Sequence, residues 1–254
     1  MDLQLQGLRA VVTGASKGIG AAIASVLARE GADLVLVSRR LPELEQLADS
    51  LRTTHRVQVE AIAADLSTPE GRLQVAESIH SADILVNNAG AIPPGSLLEV
   101  TEDAWRRAWD LKVYGYVFLT QALYPMIAKS EHGVILNIIG VASEDLPSGY
   151  IVGAMGNTSL VGFTKTLAKA AWRDGVRVVG INPGPTATDR HTMLLRARAL
   201  EQLGDAERWK ELDDALPFGR ASSPEEIANA TAFLVSPLSG YTSGTVLTID
   251  GGKA

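Results

Sequence analysis

Seven short runs rich in Val, Ile and Leu recur along this chain, separated by amphipathic stretches long enough to be helices, and this alternation constrains the fold more than any other feature. The runs "RAVVTG", "DLVLVS", "VQVEAIAA", "DILVNNAG", "GVILNII", "VRVVGINPG" and "GTVLTIDGG" are predicted strands. Helical segments, with apolar residues three and four apart, are predicted near 18–30, 41–53, 69–80, 101–129, 153–173 and 224–235. In "AAIASVLAREGA", Ile23, Val26 and Leu27 form a stripe and Gly31 supplies a stop.

Strand and helix in regular succession, joined by right-handed crossovers, give a parallel sheet with helices on both faces, and nearly continuous Val/Ile/Leu strands suit burial on both sides. The expectation is a doubly wound, Rossmann-type α/β fold of about seven strands. A chain of 254 residues that is 46% hydrophobic can bury one full core, so residues 1–254 are read as a single domain. Ligands in such sheets sit beyond the carboxyl ends of the strands. The piece from Pro183 to Pro224 is long for a connection and carries charged helical material, which marks a substrate lid near 186–222.

Charge narrows the function. A net charge of −6 and a pI near 5.3 provide no basic field for nucleic acid or an anionic membrane, which leaves small-molecule chemistry. There is no cysteine for a disulfide, thiolate or metal, and His55, His80, His132 and His191 have no ligand spacing. The N-terminus lacks a basic-then-apolar leader pattern and no apolar run spans a bilayer, so a soluble, cytoplasmic protein is expected.

"TGASKGIG" sets Gly14, Gly18 and Gly20 between the first strand and the first helix. Glycines there permit a tight turn and close approach to a pyrophosphate, while free N–H groups and the helix dipole supply partial positive charge. Its spacing is a variant of the G-x-G-x-x-G fingerprint. Together with "NNAG" at 87–90, "INPGPTATD" at 181–189 and "SGTVLTIDGG" at 243–252, in that order, the turn resembles the short-chain dehydrogenase/reductase family over essentially the whole chain. The resemblance implies a nicotinamide dinucleotide site. Gly14, Ser16, Lys17, Gly18, Ile19 and Gly20 would form the phosphate turn, and Asp65 and Leu66 would flank the adenine. Asn87, Ala89 and Gly90 would line the adenosine ribose side, and Pro183, Gly184, Thr186 and Thr188 the carboxamide. It also implies a small-molecule substrate and a homo-oligomer, a tetramer or dimer, with the last strand near a subunit interface.

An NAD enzyme usually ends its second strand with a carboxylate for the ribose 2′-OH. This chain has Ser38, then Arg39 and Arg40, with Lys17 in the glycine turn, and these groups suit a 2′-phosphate. NADP(H) is therefore expected as the preferred cofactor, with NAD(H) usable.

In the family a Tyr moves the hydroxyl proton, a Lys four residues on lowers its pKa and holds the ribose, a Ser polarises the carbonyl, and an Asn completes a water relay. A free phenol titrates near pH 10, so it needs an adjacent cation to work at neutral pH. Aligning "GVILNIIGVAS" and "GFTKTLAKA" puts Gly140 at the Ser position, Gly153 at the Tyr position and Asn157 at the Lys position. "WDLKVYGYVFLTQALYP" puts Lys112 at the Asn position. Tyr150 stands three residues before the tyrosine position, and its own i+4 neighbour is Ala154. The candidate substitutes are Tyr150 as proton donor, Lys112 as a cation from the neighbouring helix and Asn157 as a ribose ligand, with Ser143 and His191 as further candidates. Three readings stay open: an NADP(H)-dependent oxidoreductase of an alcohol/carbonyl pair with a rearranged relay, a cofactor-binding sensor or partner subunit with little or no dehydrogenase activity, or a lyase or isomerase on the same fold.

Overall fold

The computed structural model describes residues 1–253. The predicted strands form one sheet: β1 (Arg9–Thr13), β2 (Asp33–Ser38), β3 (Val59–Ala63), β4 (Ile84–Asn87), β5 (Val134–Ile138), β6 (Arg177–Pro183) and β7 (Val246–Ile249). Their order is β3-β2-β1-β4-β5-β6-β7, and every neighbouring pair is parallel.

Strand alternation builds the two faces. Ala10, Val12, Leu34 and Leu36 belong to the core beneath α1 (Gly18–Arg29), α2 (Leu41–His55) and α10 (Pro224–Val235). The intervening Val11, Val35 and Val37 belong to the core beneath α3 (Pro69–Ser78), α5 (Gly115–Ile127) and α7 (Ile151–Ala171). Because both faces are covered, neither set can turn polar without opening a core, which explains why the strands read as unbroken apolar runs. Among the described residues no helix is long and apolar enough to cross a membrane.

The helix expected over 101–129 is interrupted. It runs as α4 (Glu102–Trp109), a π-helical turn (Asp110–Tyr114) and then α5. An extra residue per turn rotates the rest of the helix about its axis, and such turns recur at functional sites. The tertiary anchors lie on either side: Trp109 Nε1 donates to Val152 O at 3.2 Å, and Gly115 packs so closely that a Cβ there would sit 3.3 Å from Leu66 O. Lys112 lies within this turn.

The short α6 (Ala142–Asp145) follows β5, while the segment after β6 contains α8 (Asp189–Leu203) and α9 (Trp209–Asp214). Thr188 caps α8 by accepting from His191 N at 3.3 Å, and His191 Nε2 pairs with Asp213 Oδ1 at 2.9 Å, so the first turn of α8 is tied to α9.

Arg177, at the start of β6, closes the carboxyl end of α10. Its guanidinium donates to Leu234 O at 2.8 Å, Ser236 O at 3.1 Å, and Val235 O and Thr242 O at 3.2 Å. A cation on the last carbonyls of a helix satisfies orphan acceptors and opposes the negative end of the dipole. Arg177→Met is expected to destabilise the protein by about 2–3 kcal/mol through loss of these charge-assisted bonds, read as a lower midpoint in urea at unchanged slope.

Candidate functional site

A cleft of about 1320 Å³ opens at the carboxyl ends of the strands, where β1 separates the two directions of winding. Its floor is fixed by side chains pointing away from solvent. Thr13 Oγ1 accepts from Asn88 N at 2.8 Å and from Ala89 N at 3.1 Å, and Asn88 Nδ2 donates back to Thr13 O at 2.9 Å. Asn87 is buried behind this wall, donating from Nδ2 to Thr120 Oγ1 and Asn137 Oδ1, both at 3.0 Å.

The glycine turn forms one side. A Cβ on Gly20 would fall 2.3 Å from Gly14 O, and one on Gly14 would fall 2.9 Å from Ala89 Cα, so the turn packs closer than any larger residue permits. Gly20 itself supports the turn from behind, whereas Gly14, Ser16, Lys17, Gly18 and Ile19 face the cleft. No side chain caps the start of α1 and no acidic residue lies in its first turn, so its N–H groups and positive dipole end are not neutralised locally.

Ser38, Arg39 and Arg40 form the neighbouring corner together with Lys17. Arg40 is already paired with Glu43 at 2.5 Å, and Ser38 Oγ accepts from Arg40 N at 3.2 Å. Arg39 has no ion pair among the described residues. Leu66 faces the cleft, while Asp65 turns to its own loop, accepting from Ser67 N at 3.0 Å and Ser67 Oγ at 2.7 Å. Burial raises the Asp65 pKa, but the Ser67 bonds and Arg39 outweigh it and hold the carboxyl below its ordinary value.

At the far end, Ala89 and Gly90 line the cleft together with Gly140, Asn157, Pro183, Gly184, Thr186 and Thr188. Gly140 has φ +140°, and a Cβ there would meet Asn157 Nδ2 at 2.8 Å. Asn157 is 4% exposed; its Nδ2 donates to Gly140 O at 3.3 Å and its Oδ1 has no partner among the described residues. A buried acceptor left unpaired at the edge of a cleft is costly unless a ligand donor meets it.

The Lys112 stem lies against Gly90, whose Cβ would come 2.8 Å from Lys112 Cδ. Its Nζ donates to Ile139 O at 2.7 Å and to Ile138 O at 3.3 Å and stands 5.7 Å from the Tyr116 ring centre. Burial, reinforced by repulsion from Arg190, draws its pKa down to about 7.

Tyr150 precedes α7, and its ring extends over Gly153. A Cβ on Gly153 would lie 1.9 Å from Tyr150 Cε1 and 2.2 Å from Cζ. The ring thus fills the space that a side chain at 153 would use. Parallel bridging with Gly95, including Gly95 N to Gly149 O at 2.8 Å, pins this segment, and Ile92, Trp105 and Trp109 pack around it. Burial pushes the phenol pKa above its ordinary value, and the opposing pull of the nearby Arg190 charge offsets this only in part.

Two sequence candidates are committed elsewhere. Ser143 Oγ donates to Gly140 O at 3.1 Å and accepts from Asn182 Nδ2 at 2.9 Å, and His191 holds Asp213. Sequence reasoning passed over Arg190, which donates to Ile92 O and lines the cleft with Tyr150, whose pKa its charge pulls down against burial. One signal could have revealed it: a cation in the first turn of α8 opposes the helix dipole, so that position calls for a reason.

A family model described as enoyl-(acyl carrier protein) reductase matches residues 14–254. Over an alignment of 262 residues the chain is 37% identical to YvaG, an uncharacterized oxidoreductase of Bacillus subtilis, covering 99% of this chain and 98% of that protein. It is 31% identical over 253 residues to the L-xylulose reductase of Mesocricetus auratus, covering 99% and 98% of the two chains. Among solved structures, L-sorbose reductase of Gluconobacter frateurii, complexed with NADPH and L-sorbose, matches with a TM-score of 0.93 at 35% identity, covering 99% of this chain and 98% of that one.

The overlap at Gly153 sets a steric test. Gly153→Ala is expected to push the Tyr150 ring aside and cost about 1–3 kcal/mol in folding stability, an overpacking effect visible in a urea melt. Adding Tyr150→Leu should recover most of that loss.

Proposed function

The chain belongs to the short-chain dehydrogenase/reductase family, and on that premise we propose that it is an NADP(H)-dependent oxidoreductase interconverting an alcohol and a carbonyl compound through a relay built on Tyr150 and Lys112. The observation that carries the relay is the Tyr150 ring lying over Gly153, which brings a phenol into the volume that a side chain on the first turns of α7 would otherwise reach.

The residues present fit the coenzyme. The turn from Gly14 to Ile19 would take the pyrophosphate on backbone N–H groups, and Lys17, Ser38 and Arg39 would take the 2′-phosphate, with NAD(H) the weaker ligand for lack of that group. Leu66 would pack on the adenine with Asp65 bracing its loop through Ser67, and Asn87, through the wall that it braces, would support Ala89 and Gly90 on the adenosine ribose side. The orphan Asn157 Oδ1 suits a ribose hydroxyl, and Pro183, Gly184, Thr186 and Thr188 would hold the carboxamide. When bound, the reduced nicotinamide supplies a hydride to the carbonyl carbon. Tyr150 gives the proton to the carbonyl oxygen, while Lys112 provides positive charge from the π-helical turn and Asn157 orients the sugar. The segment near 186–222 acts as a lid that excludes water from the exchange. The nearby reductase complexed with NADPH and L-sorbose supports this cofactor choice.

One observation favours a second reading, a coenzyme-binding protein with little dehydrogenase activity. Ser143 is held by Gly140 O and Asn182, and Gly140 has no side chain, so neither position offers a free serine hydroxyl to polarise a substrate carbonyl.

The readings separate in a panel of carbonyl compounds that includes L-sorbose and L-xylulose, followed by NADPH absorbance beside NADPH and NADH binding titrations. Turnover should appear, and Tyr150→Phe should lower kcat by about 10²–10⁴ while leaving NADPH affinity within about twofold. Tight NADPH binding with no turnover on any compound would select the second reading.

The relay also fixes a pH dependence. Lys112 is cationic below a pKa of about 7 and neutral above it, so kcat/KM for carbonyl reduction should fall as the pH rises through about 7. Lys112→Met should lower the plateau and erase that limb; a limb that persists would assign it to another group.

A further inference from the structure

The Tyr150 phenol has no cation on the first turns of α7 to draw its proton toward transfer. Ala154 stands one turn along, and Asn157 is uncharged. Burial alone makes such a phenol a weaker acid still. The charged groups that line the cleft near it come from other elements: Lys112 from the π-helical turn, Asp189, Arg190 and His191 from α8, and Asp145 from α6. On the remaining side α4 presents Trp105 and Trp109. Of the cations, Lys112 is drawn down to about 7 and loses charge within the neutral range, whereas a guanidinium stays charged throughout.

Arg190 is held beside Tyr150. Its Nη2 donates to Ile92 O, Ile92 packs in the same apolar cluster as Tyr150, and Arg190 and Tyr150 line the same cleft, where the guanidinium charge opposes the upward push of burial on the phenol. Among the described residues it forms no ion pair, so its charge is not spent on a carboxylate. The turn that carries it is fixed on both sides, by Thr188 Oγ1 accepting from His191 N at 3.3 Å and by His191 Nε2 against Asp213 Oδ1 at 2.9 Å.

We infer that Arg190 is the positioning residue that makes Tyr150 a usable proton donor, supplying from α8 the positive charge that the first turns of α7 lack and thereby coupling proton transfer to the placement of α8. This rests on the reading of Tyr150 as the proton donor. In carbonyl reduction the Oη–H bond of Tyr150 breaks as an O–H bond forms on the substrate oxygen, and the carbonyl carbon takes a hydride from the reduced nicotinamide coenzyme, which is oxidised. The electron pair of the broken bond stays on the phenolate, which Arg190 holds until a solvent proton restores the hydroxyl. Arg190 neither gains nor loses a proton.

The test is a pH titration by NMR of protein carrying ¹³C-labelled tyrosine, with the Tyr150 signal assigned from Tyr150→Phe. Arg190→Gln is expected to raise the Tyr150 midpoint by about one pH unit, the scale of losing an adjacent opposite charge. Arg190→Lys, which keeps the charge without the planar fork, should fall between the two and serves if the glutamine variant does not fold. NADPH affinity should stay within about twofold in both. On whichever panel carbonyl is reduced, Arg190→Gln should lower kcat about tenfold or more with little change in KM, and Arg190→Lys should restore part of the loss. A wild-type Tyr150 that stays protonated to the alkaline limit of the folded protein, or a midpoint that Arg190→Gln does not move, overturns the inference alone. Unchanged turnover in Tyr150→Phe would remove the proton-donor reading and this inference with it.

Discussion

Thr13 Oγ1 accepts the backbone N–H groups of both Asn88 and Ala89, and Asn88 Nδ2 donates back to Thr13 O. These bonds lock the ends of β1 and β4 together where the connections leave in opposite directions. Without them the last backbone groups of two central strands would lack partners at the edge of a wet cleft, a cost that buried amides rarely bear. With them the two ends become a rigid floor from which the glycine turn, Gly90 and the Lys112 stem take their positions. The core layers on each face of the sheet make that floor stiff, because close-packed interiors transmit displacement rather than absorb it.

The two halves of the cleft obey different physics. At the glycine turn, backbone is exposed and side chains are absent, so close approach and peptide dipoles dominate. At the other end the missing bulk is at Gly140 and Gly153, and the chemistry-bearing groups arrive from elsewhere: a phenol from the loop before α7, an amine from a π-helical turn and a guanidinium from α8. Groups brought together from three elements depend on tertiary packing for their spacing, whereas two groups one turn apart on a helix are spaced by the backbone itself. This end of the cleft is accordingly surrounded by anchoring contacts, from Trp109 on Val152 O to the Gly95 bridge and the bond between His191 and Asp213.

Strand positions and the doubly wound class were legible in the chain because burial on both faces leaves short Val/Ile/Leu runs such as "DLVLVS" that alternate regularly with amphipathic stretches. The break at Asp110–Tyr114 was not, since "DLKVY" carries no Gly or Pro; the extra residue answers to contacts at Trp109 and Gly115 with parts of the chain distant in sequence. Register placed Tyr150 three residues short of position 153, but whether its ring turns back over Gly153 is decided by rotamer and packing, which a one-dimensional pattern does not contain. Ser143 looked available until the bonds to Gly140 O and Asn182 appeared. Arg190 left a faint trace, a positive charge at the wrong end of a helix, and its meaning emerges only with Tyr150 beside it.

The Tyr150 ring and any side chain on residue 153 compete for one volume, with a Cβ at 153 only 1.9 Å from Cε1. A lineage carrying this arrangement therefore cannot move its aromatic group onto α7 by one codon change, because the intermediate would have to house two bulky substituents in a space for one. The passage runs through a form with neither, or through simultaneous exchange at both sites. Such a ratchet tends to preserve whichever solution arose first, whatever their relative merits as catalysts.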